Sequence, residues 1–120
     1  MSASWRQLLE LISFPLVLAT GQILFKRAAQ QIGTAQGTSW ILDIARLPTM
    51  WLAVILYAAA TLLWVRILTT VPLSRAYVFV ALAFVIVPAA GYFLFDESLS
   101  TRFLIGTALI VAGVIVAARA

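Results

Sequence analysis

The chain reads as an all-α membrane protein, four transmembrane helices in a single domain over residues 1–120, and three observations predict that class. Of its 120 residues, 64% are hydrophobic and 10% charged, with a mean hydropathy of +1.10; soluble chains run to about a quarter charged. The roughly 77 apolar residues come close to the ~80 that four spans of ~20 residues consume. The apolar runs lack the two-residue alternation of a membrane barrel, so helices are the economical way to satisfy the backbone in lipid.

The first span is expected over about residues 8–28, the second over about 48–69, the third over about 73–95 and the fourth over about 101–118. Thr69-Thr70-Val71-Pro72 forms a tight turn, with Pro72 at a helix start, where its missing N–H costs nothing. Asp96-Glu97-Ser98-Leu99-Ser100 is a second tight link, in which Ser98 or Ser100 can cap the fourth helix. The longer link over residues 30–47 holds Gly33 and Gly37, and its second half, from Trp40 to Leu47, suits a short interfacial helix. Short links make neighbouring spans antiparallel and put both termini on one side. The opening Met1-Ser2-Ala3-Ser4 leads into apolar chain without a small-residue cleavage site and is not read as a removable signal peptide.

Composition also excludes functions. A pI of 10.4 suggests nucleic acid, but the eight basic residues are scattered and form no basic face. Without Cys or His there is no disulfide frame and no usual zinc site, and no cofactor is expected. No nucleophile–base pair stands in the spans, so the protein is not expected to be an enzyme. Arg6, Arg66, Arg75 and Arg119 fall on the terminal side, and Lys26, Arg27, Arg46 and Arg102 on the other. That balance fits a chain inserting both ways; if Arg66 and Arg75 serve a site instead, the bias places both termini outside.

Three stretches carry a family resemblance: Gly21-Gln22-Ile23-Leu24-Phe25-Lys26, Val71-Pro72-Leu73-Ser74-Arg75-Ala76-Tyr77, and Phe95-Asp96-Glu97-Ser98-Leu99-Ser100 followed by Ile105-Gly106 and Ala112-Gly113-Val114. In that order the chain resembles the small four-helix branch of the drug/metabolite transporter superfamily, which includes the small multidrug resistance proteins. Within it the chain is most similar to the subunits of the aminoarabinose–phosphoundecaprenol flippase. The resemblance implies a small multidrug resistance-like bundle. It departs from the multidrug antiporters where they carry a membrane-embedded glutamate, since Leu18 stands there. Val80 and Ala81-Leu82-Ala83 replace their third-helix tryptophan and kink glycines. A cation in a low-dielectric cavity needs a compensating charge, so proton-coupled cation export loses its basis; Glu10 is the other acid within the spans.

The spans instead hold cations. Arg66 and Arg75 lie near one surface and could form a fork for a phosphate head, because guanidinium matches phosphate oxygens bidentately. Lys26 and Arg27 offer a second station near the opposite surface. The alternative for each is a snorkelling anchor. Gln22, one turn before Lys26, needs a partner, either a neighbouring helix or a sugar hydroxyl. Tyr57 and Tyr77 are packing aromatics by default, with Tyr77 a candidate contact from the family pattern. Glu97 reads as a loop acid favoured by the fourth helix dipole, or as a partner of Arg102. Pro15 and Pro88 should kink the first and third helices, with Pro88 the candidate for motion. Gly106, Gly113 and Ala117 line one face of the fourth helix and suit either intramolecular packing or a dimer contact.

The expected function is a flippase carrying a polyprenyl-phosphate-linked sugar across the bacterial inner membrane, as a homodimer (antiparallel or not) or a heterodimer with a related subunit. Two other classes stand beside it: a proton-coupled exporter, and an accessory subunit for another membrane protein.

Overall fold

The computed structural model describes residues 5–34 and 37–119 and is helical throughout its ordered elements. The signal-peptide question, which concerns Met1 to Ser4, lies outside the described residues. The elements are α1 (Trp5–Ile32), α2 (Ser39–Ala45), α3 (Pro48–Leu68), α4 (Leu73–Val80), α5 (Ala83–Phe95) and α6 (Thr101–Ala118). Four stretches are long and apolar enough to cross a membrane: α1, α3, α4 with α5, and α6. The protein is a multi-pass membrane bundle.

Each boundary has a local cause. α1 has 28 residues, about 42 Å at 1.5 Å per residue, against a hydrocarbon core of about 30 Å. Its two ends therefore reach both interfaces. Pro15 lies inside α1, fully buried, and the helix continues through it. The linker contains the short helix expected there, α2, which buries none of its residues. The Trp51 indole N–H donates to the Ala45 carbonyl at 2.7 Å and ties the end of α2 to α3. α3 opens with Pro48 in its first turn, where no N–H is needed. Pro72 caps α4, and of the two serines offered for α6 it is Ser100 that caps, accepting from the Phe103 N–H at 3.0 Å.

The third span is broken rather than only bent. α4 ends at Val80 and α5 begins at Ala83, with Ala81 and Leu82 between. Tightened bonds hold the break: Leu82 N–H to the Phe79 carbonyl at 3.1 Å, and Phe84 N–H to the Ala81 carbonyl at 2.9 Å. Pro88 sits within α5 and withholds the N–H that the Phe84 carbonyl would otherwise accept. The interruption thus falls before Pro88, at positions where sequence comparison showed kink glycines to be missing.

α1 and α3 form the main helix pair. Leu11, Phe14, Ala60, Ile67, Val71 and Ala76 make the buried core, with Phe14 stacked on Trp64 at 4.7 Å and Trp64 edge-on to Tyr77 at 5.9 Å. Small residues set the approach: Ala19, Gly21, Ala28, Ala53 and Ala60 are all buried, as membrane helices require when packing replaces the hydrophobic effect. α6 is different. It meets α4 and α5 and buries no residue, and a Cβ added at Gly106 or Gly113 would meet nothing within 4 Å. Neither glycine is used in packing against the chain's own helices. The molecule is a slab of 52 × 36 × 23 Å, about two helix diameters thick.

Glycine to alanine exchanges separate the packed from the open face. A Cβ at Gly21 would collide with the Tyr57 ring, so Gly21→Ala should lower stability by about 1–3 kcal/mol. Gly106→Ala should be neutral or stabilising for the single chain, by up to about 1 kcal/mol. Thermal unfolding of both variants in detergent micelles checks the contrast.

Candidate functional site

No polar or charged side chain is buried among the described residues, so each charge in the spans is paired or reaches an interface. Two ion pairs form among the described residues, one towards each end of α1. At the terminal end the Arg66 Nε lies 2.6 Å from a Glu10 carboxylate oxygen. At the opposite end Lys26 Nζ lies 3.5 Å from a Glu97 carboxylate oxygen.

The first pair gives one arm of the expected phosphate fork an acidic partner. Arg66, near the end of α3, is engaged by Glu10. Arg75, in the first turn of α4, instead borders two adjoining clefts. One, of about 410 Å³, is walled by Ser74, Phe79 and the Ala117–Ala118 end of α6. The other, of about 280 Å³, is walled by Gln7, Leu11 and Pro72. Arg66 lines neither. The structure does not bring the two arginines to one cleft; it leaves Arg75 at the mouth of a space and ties Arg66 to an acid. Ala117 thereby also borders the Arg75 cleft. Tyr77 is exposed, with its ring edge on Trp64.

The second pair depends on how α5 ends. Asp96 adopts the left-handed conformation, φ 52°, and the N–H groups of Asp96 and Glu97 both reach the Gly91 carbonyl. Winding the chain round that carbonyl throws the Glu97 side chain back over the Gly91 Cα, where a Cβ would collide with the carboxylate. Glu97 therefore faces Lys26 across a cleft of about 180 Å³ that Gln22, Ala90 and Phe95 help to line. The sequence-based pairing with Arg102 is replaced by this one. Arg27 lies over the Phe95 ring, 5.6 Å from its centroid, a cation–π contact, so the two neighbouring cations take separate partners. Gly91 and the Lys26–Glu97 contact escaped sequence reading. The one available signal, a glycine six residues before the acid at a helix end, is too generic to act on.

Between the two ends, the Gln22 amide donates to the Tyr57 hydroxyl, so its partner is a neighbouring helix. Tyr57 packs on Gly21 and stands edge-on to Phe25 at 5.0 Å. This polar contact forms part of the wall of a groove of about 540 Å³ between α1, α3, α5 and α6. Apart from Thr107 the other walls are apolar, among them Leu18, Val87, Pro88 and Phe103, and no charged residue lines it. Gln22 and Val87 belong both to this groove and to the Lys26–Glu97 cleft, so the two spaces adjoin.

The arrangement can hold an anion at Arg75, meet a charged or zwitterionic head at Lys26 and Glu97, and seat a hydrocarbon chain in the groove. Among the described residues no cluster suited to a metal ion is present.

Residues 3–119 match the EamA-like transporter family. The chain is 34% identical over 109 residues to a Pseudomonas aeruginosa (strain UCBPP-PA14) protein described as probable 4-amino-4-deoxy-L-arabinose-phosphoundecaprenol flippase subunit ArnE, covering 91% of this chain and 94% of that one. It is 31% identical over 96 residues to the Hamiltonella defensa protein of the same description, covering 78% and 86%. A Salmonella paratyphi C protein so described is 32% identical over 113 residues, covering 88% and 96%. No solved structure matches.

Tyr57→Phe removes the partner of the Gln22 amide and should cost about 0.5–1.5 kcal/mol, the range for hydrogen bonds between membrane helices. Gln22→Leu in the Tyr57→Phe background should add little further loss. A double-mutant cycle by thermal unfolding in detergent tests the coupling.

Proposed function

The chain belongs to the EamA-like transporter family, and from that premise we propose that it is a subunit of a flippase moving a polyprenyl-phosphate-linked amino sugar across the bacterial inner membrane. The observation that carries the reading is the adjoining of a charged cleft and an uncharged groove. A lipid-linked sugar has one part that belongs in each. The polyprenyl tail stays in hydrocarbon and lies along the groove walled by Leu18, Val87 and Phe103. The head meets Lys26 at one surface and Arg75 at the other, with Gln22 and Tyr77 as further contacts. Only the head crosses, so a few polar groups suffice in an otherwise apolar protein.

The similar proteins described as flippase subunits support this reading. Leu18 weighs against a proton-coupled cation exporter: it stands on the groove wall where the multidrug branch has its glutamate, and the remaining candidate acid, Glu10, is held by Arg66. As a subunit the chain acts with a second one, another copy or a related chain. The face of α6 bearing Gly106 and Gly113 is the surface it docks on, because those positions are left uncovered, and Ala117 continues it to the rim of the Arg75 cleft. The break at Ala81–Leu82 together with Pro88 supplies the joint about which α5 tilts to pass the head.

Translocation of undecaprenyl phosphate bearing 4-amino-4-deoxyarabinose, followed in proteoliposomes, tests the proposal. Arg75→Ala and Lys26→Ala should each slow it about tenfold, as loss of a charge-assisted contact does. Arg66→Ala should slow it less, since Glu10 already engages that side chain. Full activity in both Arg75→Ala and Lys26→Ala overturns the two stations, and no translocation by wild type with either kind of second subunit overturns the flippase reading.

A further inference from the structure

A lysine already matched by a carboxylate offers a phosphate no net charge, so the Lys26–Glu97 pair is a poor receptor for a simple anion. We propose that the pair is a head-group discriminator: Lys26 takes the phosphate, and Glu97 takes a second, cationic group on the same head. This rests on the flippase reading and names which feature of the head is recognised, and by which residue.

The geometry supports an exchange of partners. At 3.5 Å, with the two side chains 47% and 45% exposed, the pair is of the weak, solvent-screened kind and opens readily. Its halves differ in freedom. Glu97 is set by the turn that winds its backbone round the Gly91 carbonyl, and its carboxylate rests over the bare Gly91 Cα. Lys26 ends a flexible four-carbon stem and can swing away. Arg27, held over Phe95, leaves the exchange to Lys26. The pair borders the cleft of about 180 Å³ shared with Gln22, and Glu97 also borders one of about 470 Å³ with Ser98 and Ser100. An amide and two hydroxyls thus stand beside the charges, as sugar hydroxyls require.

A phosphate that draws Lys26 away leaves the Glu97 carboxylate uncompensated beside another anion. A head carrying both charges removes that penalty, because its ammonium replaces Lys26 at Glu97 while its phosphate replaces Glu97 at Lys26. In a 4-amino-4-deoxy sugar 1-phosphate, the amine and the phosphate stand across the ring from each other. Such a head wedges the pair open instead of neutralising itself. Rejection of heads lacking the amine follows from the same carboxylate, a specificity built from an unfavourable contact with the wrong ligand.

The test compares three probes on the protein, with its second subunit, in nanodiscs: undecaprenyl phosphate bearing 4-amino-4-deoxyarabinose, the N-acetylated form of that lipid, and undecaprenyl phosphate alone. Wild type should bind the free amine at least about tenfold more tightly than the N-acetyl form, the scale of one charge-assisted contact. Glu97→Gln should bring that ratio towards one, and Glu97→Asp should retain part of it. Gly91→Ala, which displaces the carboxylate without removing it, should also reduce the ratio and serves if Glu97→Gln does not fold. Equal wild-type binding of the two sugar lipids, an undiminished ratio in Glu97→Gln, or an equal loss of both sugar lipids overturns the discriminator and leaves the flippase reading standing. If wild type binds none of the three lipids, the flippase reading itself fails and the discriminator with it.

Discussion

Hydrocarbon cannot solvate a charge, and the rest of this structure follows from that constraint. A lone cation or carboxylate in the bilayer must find a partner or reach an interface. α1 shows both solutions at once. It is longer than the hydrocarbon core, and it carries Glu10 and Lys26 towards opposite ends, each with an oppositely charged partner, Arg66 on α3 and Glu97 beyond α5. The short Arg66 pair ties α1 to α3, while the longer, exposed Lys26–Glu97 pair meets it only loosely at the other end. Between them, the Ser13, Thr20 and Thr61 hydroxyls bond back to carbonyls of their own helices, and one amide–hydroxyl contact, Gln22 with Tyr57, joins α1 to α3.

The same constraint divides the bundle into a tight half and a loose half. α1 and α3 approach closely through alanine and glycine and bury the aromatic stack of Phe14 on Trp64. α6 buries nothing and presents its glycines outward. α5 packs on α1, and the groove opens between this pair, α3 and the sparsely packed α6. Its lining is uncharged, which suits a lipid tail. Its neighbour, the Lys26–Glu97 cleft, suits a polar head. The separation of these two chemistries along one helix distinguishes this chain from a carrier that keeps an acid at the centre of its cavity.

Backbone details control the polar end more than composition does. A left-handed Asp96 and the bare Cα of Gly91 aim the Glu97 carboxylate at Lys26. At the other surface, Arg66 and Arg75 lie near each other in sequence across the Pro72 turn, yet α3 presents Arg66 to Glu10 while α4 presents Arg75 to the clefts near the start of α1 and the end of α6. The two arginines thus have different neighbours on either side of that turn.

What the sequence determined by itself is whatever hydropathy and punctuation encode. The four spans, the short helix after Gly37 and the capping of α6 by a serine are of this kind, because a 20-residue apolar run, a proline or a serine acts through its own neighbourhood. The family is also legible, because it lies in the order of short motifs. Tertiary structure alone decided the partners. Glu10 with Arg66, Glu97 with Lys26 and Tyr57 with Gln22 each join residues 35 to 71 positions apart, and long-range pairings of single side chains leave no periodic trace in a chain. It decided too that the third span breaks at Ala81–Leu82, since a helix yields where its hydrogen bonds and neighbours allow, not only where a glycine or proline is written.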